Sequence, residues 1–522
     1  MLNFIKTTPL ATQWARVGIK NHHGIALTLG SLHSHNSCGI GEYLDLIPLI
    51  DWCANLGLDV IQLLPLNDSG DDPSPYNALS SRALHPIYLK LHALPFVQDH
   101  PTLLSALDDF KALNATTHID YHETLKRKDA WLKNYYELEK ERLLHSSDYQ
   151  KFYETNPWVQ GYALYKTLKN SITFGTWEDW PESLRDLTEE SYQELLYLHQ
   201  NSISYYCTLQ YLCHEQLKSV KHHATNHGVF LKGDIPILIS PDSADVWLQR
   251  SLFNMHFAVG YPPDVFNEEG QLWGFPAFKW NMIEHDHYNW WKGRLEISSH
   301  YYHLYRLDHI VGFYKLWLIP KGEKPINGFY EPATLEEALT AGHKYLSEII
   351  PSSSMLPIGE DLGNLPQEVF DSLFSLGIPG TRVIRWETKN GHFIPMDKYS
   401  PLSMTCVSTH DSETLTLWWE KYPLEAKKYC IWKGWDYTTP LPKKYRYSIL
   451  KDAHNSASLF HINLFQEYLA LFPELVHSDP ELERINRPGF VLPSNWTYRF
   501  RCNLETILAH EELKQVFLEL TS

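Results

Sequence analysis

Gly24-Ile-Ala-Leu-Thr-Leu29, the amphipathic stretch 43–56, and Leu58-Asp-Val-Ile-Gln-Leu-Leu64 together decide the fold. The first and last pieces are short and apolar and read as buried strands, the second stopping at Pro65. Between them, residues 43–56 carry apolar side chains at helical spacing, and Gly57 follows as a stop. Strand, helix and strand in that order imply a parallel pair joined by a right-handed crossover.

Working outward, the same alternation recurs. Further strands are predicted at 228–235, 303–308, 355–360, 380–384, 405–408 and 459–465, most of them separated by helical segments. Eight strands favour an α/β fold of the closed (β/α)8 TIM-barrel type over an open doubly wound sheet. The rhythm breaks once, across residues 96–227, where helical periodicity runs through Leu103, Leu107 and Phe110 and again through Trp131, Leu132, Tyr135 and Tyr136. So long a span is rarely a structureless loop. The expectation is a helical subdomain inserted after the second strand, on the active-site side of a barrel. The chain then divides into 1–95 and 228–522, which build the barrel, and 96–227, the insertion. Lys126-Arg127-Lys128 within it is followed by Glu137, Glu139 and Glu141 and reads as a solvated helix face.

Composition narrows the partners. The chain has 522 residues and a net charge of −17, which argues against nucleic acid, whose phosphates need a basic surface. Aromatic residues make up 14%, enough for a packed core with some faces left to stack on sugar-like ligands. Seven scattered cysteines without a Cys-x-x-Cys pair suit a reducing cytoplasm rather than a disulfide scaffold. Lys6, Pro9 and Arg16 interrupt the start of the chain, and no apolar run is long enough to span a bilayer, so a cytoplasmic protein without membrane partners is expected. No cofactor is expected either. There is no Walker loop and no Gly-x-Ser-x-Gly elbow, and Gly39-Ile-Gly41 lacks a third glycine because Leu44 stands there. His285-Asp286-His287 sits beside Tyr288, Trp290 and Trp291 at a helix start, and His222, His223 and His227 read as a solvated polar turn with Lys221. No metal site is assigned to either group.

Three acidic residues stand at or just past predicted strand ends: Asp308 in Tyr305-Arg-Leu-Asp-His309, Glu360 in Pro357-Ile-Gly-Glu-Asp-Leu-Gly363, and Asp411 in Ser408-Thr-His-Asp-Ser412. The C-terminal ends of barrel strands share one mouth, so three distant positions can converge there. Converging carboxylates repel, which raises one pKa and leaves the others ionised. Glycoside chemistry needs that division between a carboxylate nucleophile and a protonated acid. Arg306, two residues before Asp308, is placed to hold it ionised.

With these residues in view, the sequence resembles the 4-α-glucanotransferases of the amylomaltase or disproportionating-enzyme type, glycoside hydrolase family 77, a branch of the α-amylase superfamily. The likeness runs in order through Gly39-Ile-Gly41, Leu64-Pro-Leu66, Ser74-Pro-Tyr-Asn77, Trp177-Glu-Asp-Trp-Pro181, Gly233-Asp-Ile-Pro-Ile237 and Asp242-Ser-Ala-Asp-Val-Trp247. It continues through Pro262-Pro-Asp264, Gly270-Gln-Leu-Trp-Gly274, Arg306-Leu-Asp308, Gly359-Glu-Asp-Leu-Gly363, Thr409-His-Asp411 and Asn486-Arg-Pro-Gly489.

The resemblance implies Asp308 as nucleophile, Glu360 as acid and then base, and Asp411 as transition-state stabiliser. A retaining double displacement would follow, with the first two carboxylates about 5 Å apart. It further implies Arg306, His410, Asp234, Tyr76, Ser74, Asp264, Phe266 and Trp273 as substrate-binding positions. The partners would be an α-1,4-glucan donor and a glucose or glucan acceptor. The Pro-, Gly- and aromatic-rich segment 260–276 is expected to cover the cleft and exclude water. Two alternatives share this scaffold: an α-glucan hydrolase, and an inactive glucan-binding protein. Nothing in the sequence specifies an oligomeric state.

Overall fold

The computed structural model describes residues 2–172, 175–263, 268–363 and 365–522. Its central element is an eight-stranded parallel sheet: β1 (His22–Leu27), β2 (Val60–Leu63), β3 (Phe230–Pro236), β4 (Leu304–Asp308), β5 (Leu356–Gly359), β6 (Gly380–Val383), β7 (Ser403–Cys406) and β8 (Phe460–Leu464). The order around the sheet is β6-β7-β8-β1-β2-β3-β4-β5, so chain neighbours are spatial neighbours and the sheet curls into a barrel. Each of the eight strands expected from sequence is present within a few residues. The helix expected between the first two runs from Leu46 to Asn55 after a short 3-10 turn, and Gly57 ends it in the left-handed region at φ +73°.

The ring has a seam. No ladder joins β5 to β6 among the described residues. The Gly359 N–H donates to the Pro379 carbonyl at 2.8 Å, and the Thr381 hydroxyl donates to the Gly359 carbonyl at 2.9 Å. Asp361 accepts from the Thr381 N–H at 2.7 Å. A Cβ at position 380 would lie 2.1 Å from the Asp361 carboxylate, so only glycine lets that side chain reach across. The N-terminal helix Ala11–Val17 spans the seam at its base. The Gln13 amide donates to the Ser353 carbonyl before β5 at 2.7 Å, and the Trp14 indole donates to the Gly377 carbonyl before β6 at 2.9 Å.

Between β2 and β3 the chain is mainly helical: Tyr121–Leu144, Ser147–Thr155, Trp158–Ser171, Glu189–Leu198 and Gln200–Asn226. Asp120, Ser146 and Thr188 cap three of these helices by accepting backbone N–H groups. Their apolar faces join the same continuous core as the barrel strands. One charge run differs from its sequence reading. Lys128 is buried, its ammonium held by Glu42 at 2.6 Å and by the carbonyls of Ile87 and Leu89 at 2.7 and 2.9 Å, whereas Lys126 is exposed. His222 and His223 also differ. They lie in the last turns of helix Gln200–Asn226, with His227 as its C-cap, rather than in a loop.

A second sheet was not expected. Phe253–Tyr261 and Gln271–Phe278 form a hairpin between β3 and β4. Leu316–Pro320 and Phe329–Glu331 extend it after β4 into four antiparallel strands. Within the 260–276 segment, residues 260–261 and 271–276 are therefore strand. All seven cysteines are free. Among the described residues, no helix is long and apolar enough to cross a membrane.

Candidate active site

Alternation along β4 puts Arg306 and Asp308 on one side of the strand, pointing into the barrel mouth. β4 pairs with β5 in the register Leu307↔Gly359. Asp308 and Glu360 are therefore the next positions along adjacent strands, whose axes lie about 4.8 Å apart. Asp411 follows β7 in the Thr409-His-Asp411 turn. All three carboxylates line one cavity of about 600 Å³ together with Tyr76, Arg306 and Trp273.

Arg306 organises the floor. One Nη donates to both oxygens of Asp234 at 3.0 Å, and the other reaches Asp308 Oδ1 at 2.6 Å. Tyr76 donates its hydroxyl proton to Asp234 at 2.8 Å, lies 3.1 Å from His410 Nε2, and stacks on the His410 ring at 5.7 Å between centroids. Asp411 is gripped from two sides, by His410 Nε2 at 3.0 Å and by the Asn486 amide at 2.6 Å. The two grips, with the imidazole first, outweigh burial and bring its pKa down to about 2.

Glu360 is the opposite case. Burial, reinforced by the charge of Asp308, pushes its carboxyl up to about 8, against the opposing pull of Arg306. The His309 N–H donates to Glu360 Oε2 at 2.9 Å. That contact goes with His309 adopting φ +46°, a left-handed conformation between Asp308 and Glu360. The site thus separates Glu360, protonated at neutral pH, from Asp411, which stays charged. This separation suits protonation of a leaving oxygen beside a fixed negative charge.

Not every candidate touches the cavity. Asp234 is buried beneath Arg306 and Tyr76 and is absent from the lining, so it supports the guanidinium instead of facing a ligand. Ser74 is also absent from the lining; its N–H donates to Asp72 at 2.8 Å in the loop that delivers Tyr76. Asp264 and Phe266 fall outside the described residues. Trp273 does line the cavity, packing edge-on against His309 with ring centroids 5.0 Å apart.

Two residues of the cavity wall and one buried behind it were not singled out from sequence. Asn486 opens a motif that had been quoted without a role. Trp496, at φ +65°, closes the wall by packing on Tyr76 and His410 at 5.4 and 5.8 Å. Lys232, two residues before Asp234, is fully buried in the barrel, where its ammonium meets Gln62 at 2.8 Å and the Met404 sulfur at 3.0 Å. Burial brings its pKa down to about 7.

The chain matches known proteins along most of its length. A family profile described as 4-alpha-glucanotransferase matches residues 27–505. A 4-alpha-glucanotransferase of Chlamydia caviae is 42% identical, over 98% of this chain and 96% of its own. Its counterpart in Chlamydia pneumoniae is 43% identical over 98% and 97%. Among solved structures, an amylomaltase from Streptococcus agalactiae in complex with acarbose superposes with a TM-score of 0.79 at 23% identity, covering 96% of this chain and 99% of that one.

Proposed function

The chain belongs to the 4-alpha-glucanotransferase family, and from that premise we propose that Asp308, Glu360 and Asp411 carry a retaining transfer of α-1,4-glucan segments. In the first step Glu360 gives its proton to the glycosidic oxygen of the donor while Asp308 attacks the anomeric carbon. The carbon–oxygen bond breaks, a glycosyl ester forms on Asp308, and the shortened glucan leaves with the proton. In the second step the Glu360 carboxylate takes the proton of an acceptor 4-hydroxyl, whose oxygen displaces Asp308. Two inversions at one carbon restore the α configuration.

The observation that carries this reading is the split environment of two neighbouring carboxylates, Asp308 paired with Arg306 and Glu360 held protonated by burial. Asp411 adds a fixed negative charge beside the oxocarbenium-like transition state. Trp273 and Tyr76 offer flat faces to glucose rings, and the hairpin carrying Trp273 restricts water at the mouth. The donor and acceptor are maltodextrins of the kind derived from glycogen or starch, used in the cytoplasm, a compartment that the free cysteines suit. The helices of 96–227 are read as a subdomain inserted between β2 and β3, packed on the barrel's own core.

Incubation with maltotriose tests the transfer. Products longer than maltotriose, together with glucose and maltose, are expected. Glucose and maltose alone would mean that water, not a sugar hydroxyl, resolves the intermediate.

A further inference from the structure

Far from the cleft, helix Gln200–Asn226 ends with His223 in its last turn and His227 one turn on, their rings stacked at 4.1 Å. Asp51, on helix Leu46–Asn55, faces both. Its Oδ1 lies 2.6 Å from His223 Nε2 and 3.5 Å from His227 Nε2. One donor atom from each of the three side chains falls within 4.8 Å of the others.

The tautomer of His227 is fixed by its own backbone. Its Nδ1 sits 2.8 Å from the His223 carbonyl, a contact that only an N–H can make. In the neutral ring, Nε2 therefore points a lone pair at a carboxylate oxygen. Two lone pairs facing across 3.5 Å repel unless a cation, either a proton or a metal ion, lies between them. The same backbone contact is how protein-bound metal ions commonly have their imidazole ligands oriented. The helix C-terminus adds partial negative charge to the spot. All three side chains reach solvent, with exposures of 27–47%.

We propose that Asp51, His223 and His227 bind one divalent transition-metal ion, with zinc as the reference case. Two imidazole nitrogens and one carboxylate oxygen suit zinc, nickel or copper, whereas magnesium and calcium favour all-oxygen sites. Three protein ligands leave room for water. Helix Gln200–Asn226 leads directly into β3, so its end lies at the N-terminal face of the barrel, away from the mouth. The ion is structural there. It ties the last turn of the long helix to the helix that follows β1, two elements that already pack together.

The experiment uses the full chain stripped with chelator. Zinc is titrated calorimetrically into wild type, Asp51→Asn, His227→Gln and the double variant, and thermal unfolding is followed with and without zinc. One site is expected in wild type, weakened about tenfold or more in each single variant, with a zinc-dependent rise in Tm that the variants lose. Copper(II) as a probe should show two nitrogen ligands by electron paramagnetic resonance in wild type and one in His227→Gln. The substituted side chains are partly exposed and lie outside the cleft, so metal-free folding and transfer activity should match wild type. Equal zinc affinity in wild type and the double variant, or unchanged copper spectra, would overturn the proposal.

Discussion

Replacing Glu360 with Gln tests the electrostatic core of the site through stability as well as rate. In the folded protein the carboxyl titrates at about 8, against 4.5 for an ordinary glutamate, mainly because of burial. The native state therefore holds a proton that the unfolded chain has released, and wild-type stability must fall as pH rises between those two values. A displacement of this size, at about 1.36 kcal/mol per pH unit, corresponds to roughly 5 kcal/mol across the window. The glutamine variant has nothing to ionise. Below pH 4.5 the two proteins should be about equally stable, and above pH 8 the variant should be the more stable. Urea denaturation at a series of pH values measures the difference directly. Transfer should vanish in the variant, and wild-type kcat/KM should fall on the alkaline side near pH 8, where the acid loses its proton. A stability difference that stays flat from acid to alkaline pH would refute the reasoning, because Glu360 would then titrate alike in both states.

Three further outcomes are expected. Asp308→Asn should reduce transfer by several orders of magnitude while maltodextrin binding, measured calorimetrically, persists; wild-type turnover would remove Asp308 from the nucleophile's role. Lys232→Met should raise stability most below pH 7, where the folded state carries a buried ammonium, with the gain fading toward pH 10.5 because between those values folding must still release the proton that the unfolded lysine holds; denaturation across that range measures it. Trp273→Ala should raise KM for maltodextrin about tenfold, the loss of one stacking face, while the alkaline limb set by Glu360 stays in place. A shifted limb would mean that Trp273 tunes the acid instead of gripping sugar.

The barrel was legible because a buried parallel strand leaves little choice of residue. Leu58-Asp-Val-Ile-Gln-Leu-Leu64 is largely apolar on both faces and closed by proline, and the other barrel strands each keep apolar residues beside polar ones such as Lys232, Asp234 and Arg306. The antiparallel sheet beside the mouth was not legible. Its strands are half exposed, and the pairing of Phe253–Tyr261 with Gln271–Phe278 shifts register between Asn254 and Ala258 and again between Ala258 and Gly260, which erases a clean alternation. Charged residues were read by the rule that charge faces water. That rule failed at Lys128 in the Lys126-Arg127-Lys128 run, which is buried against Glu42 and the carbonyls of Ile87 and Leu89, all far away in sequence. The convergence of Asp308, Glu360 and Asp411 on one cavity could be read because strand ends in a barrel converge by construction. The grip of Asn486 on Asp411 and the closure by Trp496 depend on loop conformation, including a left-handed residue that no local pattern announces.

The seam between β5 and β6 makes the barrel a split ring, and the N-terminal helix is its clasp. Glu360 stands at the open lip, so its strand is held to β6 both by the seam bonds beside it and by the contacts that Gln13 and Trp14 make at the opposite end of the barrel. Trimming residues 2–17, or crowding them with an N-terminal affinity tag, would loosen the strand that carries the acid without touching the cleft.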